Sequence, residues 1–332
     1  MPKVSVIIPN YNHAPYLEQR IHSVLEQTYQ DFEILFLDDA STDNSREVFA
    51  QFAGHPKVQA IFNEQNTRSP FKQWNKGIRN ATGDYVWIAE SDDFADPKLL
   101  ETLVPILDAN LNVGLAYCQS WKVDSQGEII TSFHYWTDDL DEQRWRNNYL
   151  NHGLDECKNY LAIKNIIPNA SAVLFRRSLF EQAGYAEESM FLCGDWITWI
   201  KLLLLTDVAF AAEPLNYFRY HSSSVRSKSQ QGGLEIYEKM QVFLFLKGEI
   251  ELSEEISSLV KSKLIEELFF RIRRGEITSK GILKIYNLSK RIETFIELRL
   301  LIQLVAYLSS GVRRKTDSLI HQTQTFINGL KF

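Results

Sequence analysis

The N-terminal part of the chain alternates between two hydrophobic periods, and that alternation leaves few folds open. Val4 to Pro9 is a continuous apolar, β-favouring run, broken by Asn10-Tyr11-Asn12-His13-Ala14-Pro15. Leu17, Ile21, Val24 and Leu25 then recur at helical spacing, which predicts a helix from about Tyr16 to Gln27 with Pro15 near its first turn. Asp31 to Leu37 reads as a second strand, and Ser45 to Phe52 as a short helix burying Val48, Phe49 and Phe52. Lys57 to Phe62 reads as a third strand. Strand-helix-strand-helix-strand predicts a parallel α/β sheet covered by helices.

In such a sheet, ligands bind beyond the carboxyl ends of the strands. Here those ends are polar: Pro9-Asn10-Tyr11 and Asp38-Asp39. A further buried strand, Tyr85 to Ala89, runs into Glu90-Ser91-Asp92-Asp93. Clustered acids at the end of an apolar strand cost free energy unless a cation sits among them. Carboxylates two apart can converge on a hard divalent ion. The alternative is a solvated acidic turn before the helix that begins near Pro97. Tyr11 offers a flat face for a base or sugar ring, or packs as a loop aromatic. Asp39 offers an acceptor for a ring N–H, or merely opens a turn. Together these residues describe a nucleoside-diphosphate site in which a metal replaces a glycine-rich loop. Neither a Walker A sequence nor G-x-G-x-x-G occurs.

Net charge is -6, which argues against a broad nucleic-acid-binding surface. Cys118, Cys157 and Cys193 are widely spaced, with no zinc or disulfide pattern, which points to a reducing compartment. No signal peptide is evident, and no apolar run reaches the length of a membrane span. A cytoplasmic protein is expected.

Several motifs carry a specific resemblance. Val4-Ser5-Val6-Ile7-Ile8-Pro9-Asn10-Tyr11-Asn12, Gln27-Thr28-Tyr29, Asp38-Asp39-Ala40-Ser41-Thr42-Asp43, Asn80-Ala81-Thr82-Gly83-Asp84-Tyr85 and Glu90-Ser91-Asp92-Asp93 occur in order. From Met1 to Arg226 the chain resembles a family 2 glycosyltransferase. The resemblance implies the GT-A fold, a Rossmann-like, mostly parallel mixed sheet flanked by helices. It also implies a nucleotide-sugar donor, most often a UDP-sugar, with Mn²⁺ or Mg²⁺, and usually inversion at the anomeric carbon. By position, Pro9, Asn10 and Tyr11 resemble the nucleoside pocket and Asp39 the residue that holds the base. Asp92 and Asp93 match the acidic motif that binds metal and ribose. Glu90 stands where Asp is commoner and is placed at the donor. A second departure is Asn66 to Gly77, where many relatives carry a glycine-rich stretch. There Lys72 or Arg68 takes a phosphate-facing role, or is surface charge.

Lys98 to Leu107 reads as an amphipathic helix, Val113 to Val123 as a strand, and Glu128 to Phe133 as its hairpin partner. His134 to His152 mixes Tyr135, Trp136, Trp145 and Tyr149 with acids, which suits sugar recognition by a mobile lid or acceptor-side loop, or an ordinary loop over the core. Ile166 to Arg177 enters another strand. The resemblance places it near the acceptor and makes Asn169 and Ser171, with Trp136, acceptor candidates. Gly194 opens an apolar helix through Leu205, with Asp195 at its N-terminus. Asp195 is a helix cap or the general base, and the resemblance favours the base. Gly194 replaces the first acid of a pair found there in relatives. Pro214 to Arg226 resembles a Tyr-Arg-x-His segment that closes the catalytic domain. His221 is a metal or phosphate candidate, and Arg219 and Arg226 are diphosphate candidates.

The expected catalytic domain spans residues 1–226, and 227–332 is expected to be a helical appendage. Its helices are predicted at Leu234 to Lys247, Ser253 to Arg274, Ser279 to Lys290 and Arg291 to Leu308. It packs on the catalytic domain, forms a homo-oligomer, or lies on an anionic membrane surface through Arg313-Arg314-Lys315. The expected activity is metal-dependent inverting sugar transfer to a hydroxyl of a saccharide or lipid-linked acceptor, in surface polysaccharide or glycoconjugate synthesis. Two alternatives stay open. One is a nucleotide-sugar-binding scaffold, degenerate at Glu90 and Gly194. The other is a sugar-phosphate nucleotidyltransferase, although no Gly-x-Gly-Thr-Arg-like start is present.

Overall fold

The computed structural model describes residues 1–221, 233–277, 279–305 and 307. Arg226 and Arg313 to Lys315 lie outside the described residues. The chain divides into two compact units, Met1–Lys228 with Phe245–Ile256, and Ser229–Leu244 with Ser257–Phe332.

The first unit is built on a ten-stranded mixed sheet. Its strands are β1 (Val4–Asn10), β2 (Phe32–Asp38), β3 (Val58–Phe62), β4 (Tyr85–Ile88), β5 (Phe94–Ala95), β6 (Val113–Val123), β7 (Ile129–Ser132), β8 (Tyr149–Asn151), β9 (Val173–Arg176) and β10 (Asp207–Arg219). The order is β3-β2-β1-β4-β9-β6-β10-β5, with β7 on β6 and β8 on β10. β1 is parallel to β2 and β4, and β10 to β6, while β9 runs antiparallel to β4 and β6. Every residue of β1 and β2 is buried, as strands covered on both faces require.

Flanking helices are α1 (Ala14–Leu25), α2 (Ser45–Ala50), α3 (Pro70–Asn80), α4 (Leu99–Ala109), α5 (Gly153–Glu156), α6 (Arg177–Gln182) and α7 (Gly194–Leu203). The expected helix from Tyr16 begins two residues earlier, with Pro15 in its first turn. The Asn66 to Gly77 stretch supplies most of α3. It turns Phe71, Trp74 and Ile78 inward. Gly77 lets α3 lie on β1, since a Cβ there would meet Ile7 Cγ2 at 2.5 Å.

Register sets where the site can form. Asn10 pairs with Asp38, and Ile7 with Ile88, so the ends of β1, β2 and β4 share one edge. At the opposite edge the Glu33 carboxylate accepts from Ser5 Oγ at 2.6 Å and from the Thr82 hydroxyl at 2.7 Å.

Hydrogen bonds tie the 144–151 part of the expected 134–152 loop to β6 and α5. Glu156 accepts from Arg144 at 2.6 Å, Asn151 at 2.6 Å and Tyr149 at 3.0 Å. Trp145 Nε1 donates to Tyr117 Oη, which lies 2.6 Å from Tyr149 Oη.

The remaining helices are α8 (Leu234–Glu249), α9 (Glu254–Arg273) and α10 (Ser279–Ile292), followed by helical residues 296–305. Within the second unit, Glu235 and Glu267 both pair with Lys239 and Arg271. Leu298, Leu301, Ile302 and Val305 are exposed. Among the described residues no helix is long and apolar enough to cross a membrane.

Candidate active site

The polar strand ends border a cavity of about 500 Å³ lined by Pro9, Asn10, Tyr11, His13, Asp39, Arg68, Gln73 and Glu90, among others. Its size suits a small organic ligand. Tyr11 is half-exposed on its wall. Asp39 is buried and heavily engaged: Asn63, Thr67 and Gln73 donate to it at 2.6–3.1 Å. A ring N–H reaching Asp39 would have to displace one of these donors. Of the two candidate phosphate-facing cations, Arg68 lines the cavity, whereas Lys72 sits on the exposed face of α3 and is not among the lining residues.

A second cavity, of about 260 Å³, shares His13, Pro70, Glu90 and Phe191 with the first. Asp92, Asp93, Lys122, Trp136, Asn169 and Asp195 also line it. The acids are treated unequally by the fold. Asp92 lies 3.0 Å from His221 Nε2 and 4.0 Å from His13 Nε2. Burial alone would raise its carboxyl, but His13 and His221 outweigh that and hold it at about 2. Asp93 turns inward. Its oxygens accept from Ser171 Oγ at 2.7 Å and from the Arg219 backbone N–H at 2.9 Å. Burial and the neighbouring Asp92 push its carboxyl upward. The turn closed by the Asp93 N–H on the Glu90 carbonyl at 3.2 Å sends the two carboxylates to different partners.

Glu90 accepts from Trp74 Nε1 at 2.8 Å. Burial, with Asp92 adding to it, raises its carboxyl to about 8. Beneath the acids lies Arg20, fully buried, whose Nε donates to the Glu90 carbonyl at 2.8 Å. Burial lowers its guanidinium to about 10, against the pull of Asp93, Asp92 and Glu90. Sequence reasoning misses Arg20, because a charge on α1 reads as surface.

His13 escapes it as well. His13, Asp92 and His221 place one donor atom each within 4.8 Å of one another. Two imidazoles and a carboxylate form a donor set that fits a divalent cation. Asp93, expected as a ligand, is not among these three, and its oxygens accept from Ser171 and the Arg219 N–H.

Asp195 stands at the N-terminus of α7, where Asn165 Nδ2 donates to its Oδ2 at 2.9 Å and the Trp196 N–H to its Oδ1 at 2.7 Å. Gly194, beside it, has Phe71 where a side chain would go. The acceptor candidates separate. Trp136 lines the second cavity and donates to the Asn165 carbonyl at 2.7 Å. Asn169 lines it too, with Oδ1 accepting from Ser171 N and Nδ2 buried without a hydrogen-bond partner. Ser171 is wholly buried, with Oγ donating to Asp93 and accepting from the Glu90 N–H. Arg219 donates to the carbonyls of Asp92, Asp124 and Ser125 and to Gln19 Oε1, and it lines the second cavity.

A mixed Rossmann-like sheet with acids, histidines and a cap carboxylate around paired cavities defines a GT-A glycosyltransferase. The family model described as Glycosyl transferase family 2 matches residues 5–184, and the chain belongs to that family. Glycosyltransferase GlyG of Streptococcus pneumoniae is 28% identical over 67% of this chain and 72% of its own length. Two further curated relatives align over only 36% and 20% of their own lengths. Among solved structures, Staphylococcus aureus TarS 1-349 in complex with UDP-GlcNAc superposes with a TM-score of 0.68 at 17% identity, covering 87% of this chain and 80% of that one. The mannosyltransferase PcManGT of Pyrobaculum calidifontis, in complex with GDP-Man and Mn²⁺, gives 0.55 at 17% identity, covering 94% and 81%.

Proposed function

We propose that this glycosyltransferase is metal-dependent and inverting, and that it draws on a UDP-sugar to glycosylate a hydroxyl of a saccharide or lipid-linked acceptor. The observation that carries the reading is that Asp195, His13 and Asp92 line one cavity, which adjoins the nucleoside-sized one, and that His221 Nε2 stands 3.0 Å from Asp92. In this reading Tyr11 packs on the base, Asn10 and Glu90 border the ribose, and Arg68 faces phosphate. Asp92 and His221 hold Mn²⁺ or Mg²⁺, which supplies counter-charge to the departing diphosphate. The acceptor oxygen attacks the anomeric carbon as the bond from that carbon to the diphosphate oxygen breaks. The electron pair leaves with the nucleoside diphosphate, and the hydroxyl proton passes to Asp195. Asn165 and the Trp196 N–H aim that carboxylate. Trp136 and Asn169 contact the acceptor.

The UDP preference is supported by the family resemblance and by the UDP-GlcNAc seen in TarS. PcManGT, with GDP-Man, makes GDP the second reading. Surface polysaccharide or glycoconjugate synthesis is the proposed setting. The helical C-terminal part is proposed to mediate self-association or contact with a membrane surface.

The test pairs calorimetric binding of UDP, GDP, dTDP and CDP, with and without Mn²⁺, with turnover of Asp195→Asn. Asp195→Asn is expected to bind UDP–Mn²⁺ as the wild type does while transfer falls about 10³-fold or more. Near-normal turnover in Asp195→Asn would remove Asp195 from the role of base.

A further inference from the structure

We propose that His13 is itself a metal ligand, and that the His13–Asp92–His221 set tunes the site to a first-row transition dication rather than Mg²⁺. The inference rests on the metal-dependent reading above and concerns which ion that reading requires.

Geometry comes first. Metal–nitrogen and metal–oxygen bonds of about 2.0–2.2 Å separate two donors of one ion by about 3 Å when adjacent and about 4 Å when opposite. The Asp92 Oδ2 atom is 3.0 Å from His221 Nε2 and 4.0 Å from His13 Nε2. The two imidazole rings stand 5.7 Å apart at 84°. Small side-chain adjustments bring all three atoms onto one ion.

The ring of His13 is held for that purpose. Its Nδ1 lies 2.9 Å from Ser91 Oγ, which leaves Nε2 toward Asp92. A partner on the second nitrogen is what orients a ligating imidazole. The segment carrying it is pinned as well. Asn12 adopts φ 58, a left-handed conformation that Asn tolerates. Its Oδ1 accepts from the Thr42 N–H at 2.7 Å and the Asp43 N–H at 3.2 Å. The Ala14 N–H donates to Asp43 Oδ2 at 3.0 Å. His13 therefore enters from a turn clamped on both sides.

Chemistry then selects the ion. Mg²⁺ favours octahedral oxygen ligands and gives up water reluctantly. Imidazole nitrogen favours transition metals, and affinity rises from Mn²⁺ to Co²⁺. Two histidines in a set of three protein donors shift the balance away from Mg²⁺. Neither the acidic motif nor the spacing of Asp92 and Asp93 signals this.

The test uses the full chain with UDP, titrated with Mn²⁺, Co²⁺ and Mg²⁺ by calorimetry, and with Mn²⁺ by electron paramagnetic resonance. Wild type is expected to bind Mn²⁺ at least about tenfold tighter than Mg²⁺, and Co²⁺ tighter still. His13→Ala should lose about tenfold or more for Mn²⁺ and Co²⁺ while Mg²⁺ binding changes little. His13→Asp should move the preference toward Mg²⁺. Metal-free UDP binding, measured in parallel, reports that each variant is folded. Unchanged Mn²⁺ and Co²⁺ affinity in His13→Ala would overturn the proposal. So would an equal loss of UDP affinity with and without metal, which would make His13 a phosphate contact. If wild type with UDP binds no divalent ion, or Asp92→Ala binds it equally well, the metal-dependent reading itself fails.

Discussion

Replacing Gly194 by Ala sets two physical effects against each other, and their magnitudes decide the outcome. A Cβ at this position would lie 2.3, 2.5 and 2.6 Å from Phe71 Cε2, Cζ and Cδ2. Ordinary contact needs at least 3.4 Å, so the ring must retreat by about 1 Å. It has little room. Phe71 is 4% exposed and meets Trp74 edge-on at 5.1 Å, and Trp74 leans on Trp199 at 5.8 Å. Overpacking of this kind costs about 1–3 kcal/mol. Against it stands the helix preference for Ala over Gly, at most about 1 kcal/mol and less at the first helical position. The net expectation is a loss of about 1–2 kcal/mol. For a unit of this size that lowers the melting temperature by about 2–8 °C. Because Trp74 bonds Glu90 at 2.8 Å, the same displacement should reduce transfer beyond the loss of stability. Scanning calorimetry on Gly194→Ala, and on Gly194→Ala with Phe71→Leu, measures both terms. The second substitution opens space and should recover part of the loss. A Gly194→Ala protein as stable as wild type, or more so, would mean that the ring yields freely and the packing argument is wrong.

Two further outcomes follow from buried or paired carboxylates. Glu33→Ala strips the acceptor from Ser5 Oγ and from the Thr82 N–H and hydroxyl, and should cost about 2–4 kcal/mol in urea unfolding. Glu33→Gln, which keeps an oxygen there, should cost less. In the second unit, burial disfavours the Glu235 charge, but Lys239 and Arg271 outweigh it and leave the carboxyl below its ordinary 4.5. The unfolded chain therefore takes up that proton first as pH falls. The stability contribution is complete above 4.5 and is lost as pH drops through the folded value. Hydrogen exchange over 234–244, corrected for intrinsic rates, should show protection falling in that window, with Glu235→Gln flattening the fall.

The fold is legible where apolar runs have a clear period. β1, β2, β4 and β6 lie within a residue or two of their expected bounds. Strand direction is not legible, because an apolar run carries none; hence β9 enters antiparallel without warning. α3 is legible as well, since Phe71, Trp74 and Ile78 recur at i, i+3 and i+7, a helical spacing that reading Asn66 to Gly77 as a departure from a motif passes over. In the site, motif resemblance singles out Asp92 and His221 as candidates, and the fold brings them to 3.0 Å of each other. The resemblance does not find His13 and Arg20, since each meets the acids only through tertiary contacts some seventy residues away in sequence. Asp93, unlike Asp92, is bonded to Ser171 and to the Arg219 N–H, contacts that its motif does not signal. Lys72 and Arg68 look equivalent along the sequence, but α3 carries Lys72 to its exposed face.

The two departures from the family pattern both meet side chains of α3. Glu90 is longer than the commoner Asp, and its carboxyl oxygen Oε1 meets the Trp74 indole of α3. Gly194 lacks the acid found in relatives, and the space such a side chain would take is filled by Phe71 of the same helix. A helix that carries two aromatic rings into the wall between β4 and α7 thus asks for a longer reach on one side and no side chain on the other. Taken singly, each departure looks like decay of a catalytic motif. Taken together, they are the complementary fit of one inserted aromatic pair, and Asp195 keeps its aim through Asn165 and Trp196. Under the proposed reading of Asp195 as the base, these two donors fix the carboxylate for proton transfer, which a scaffold would not need.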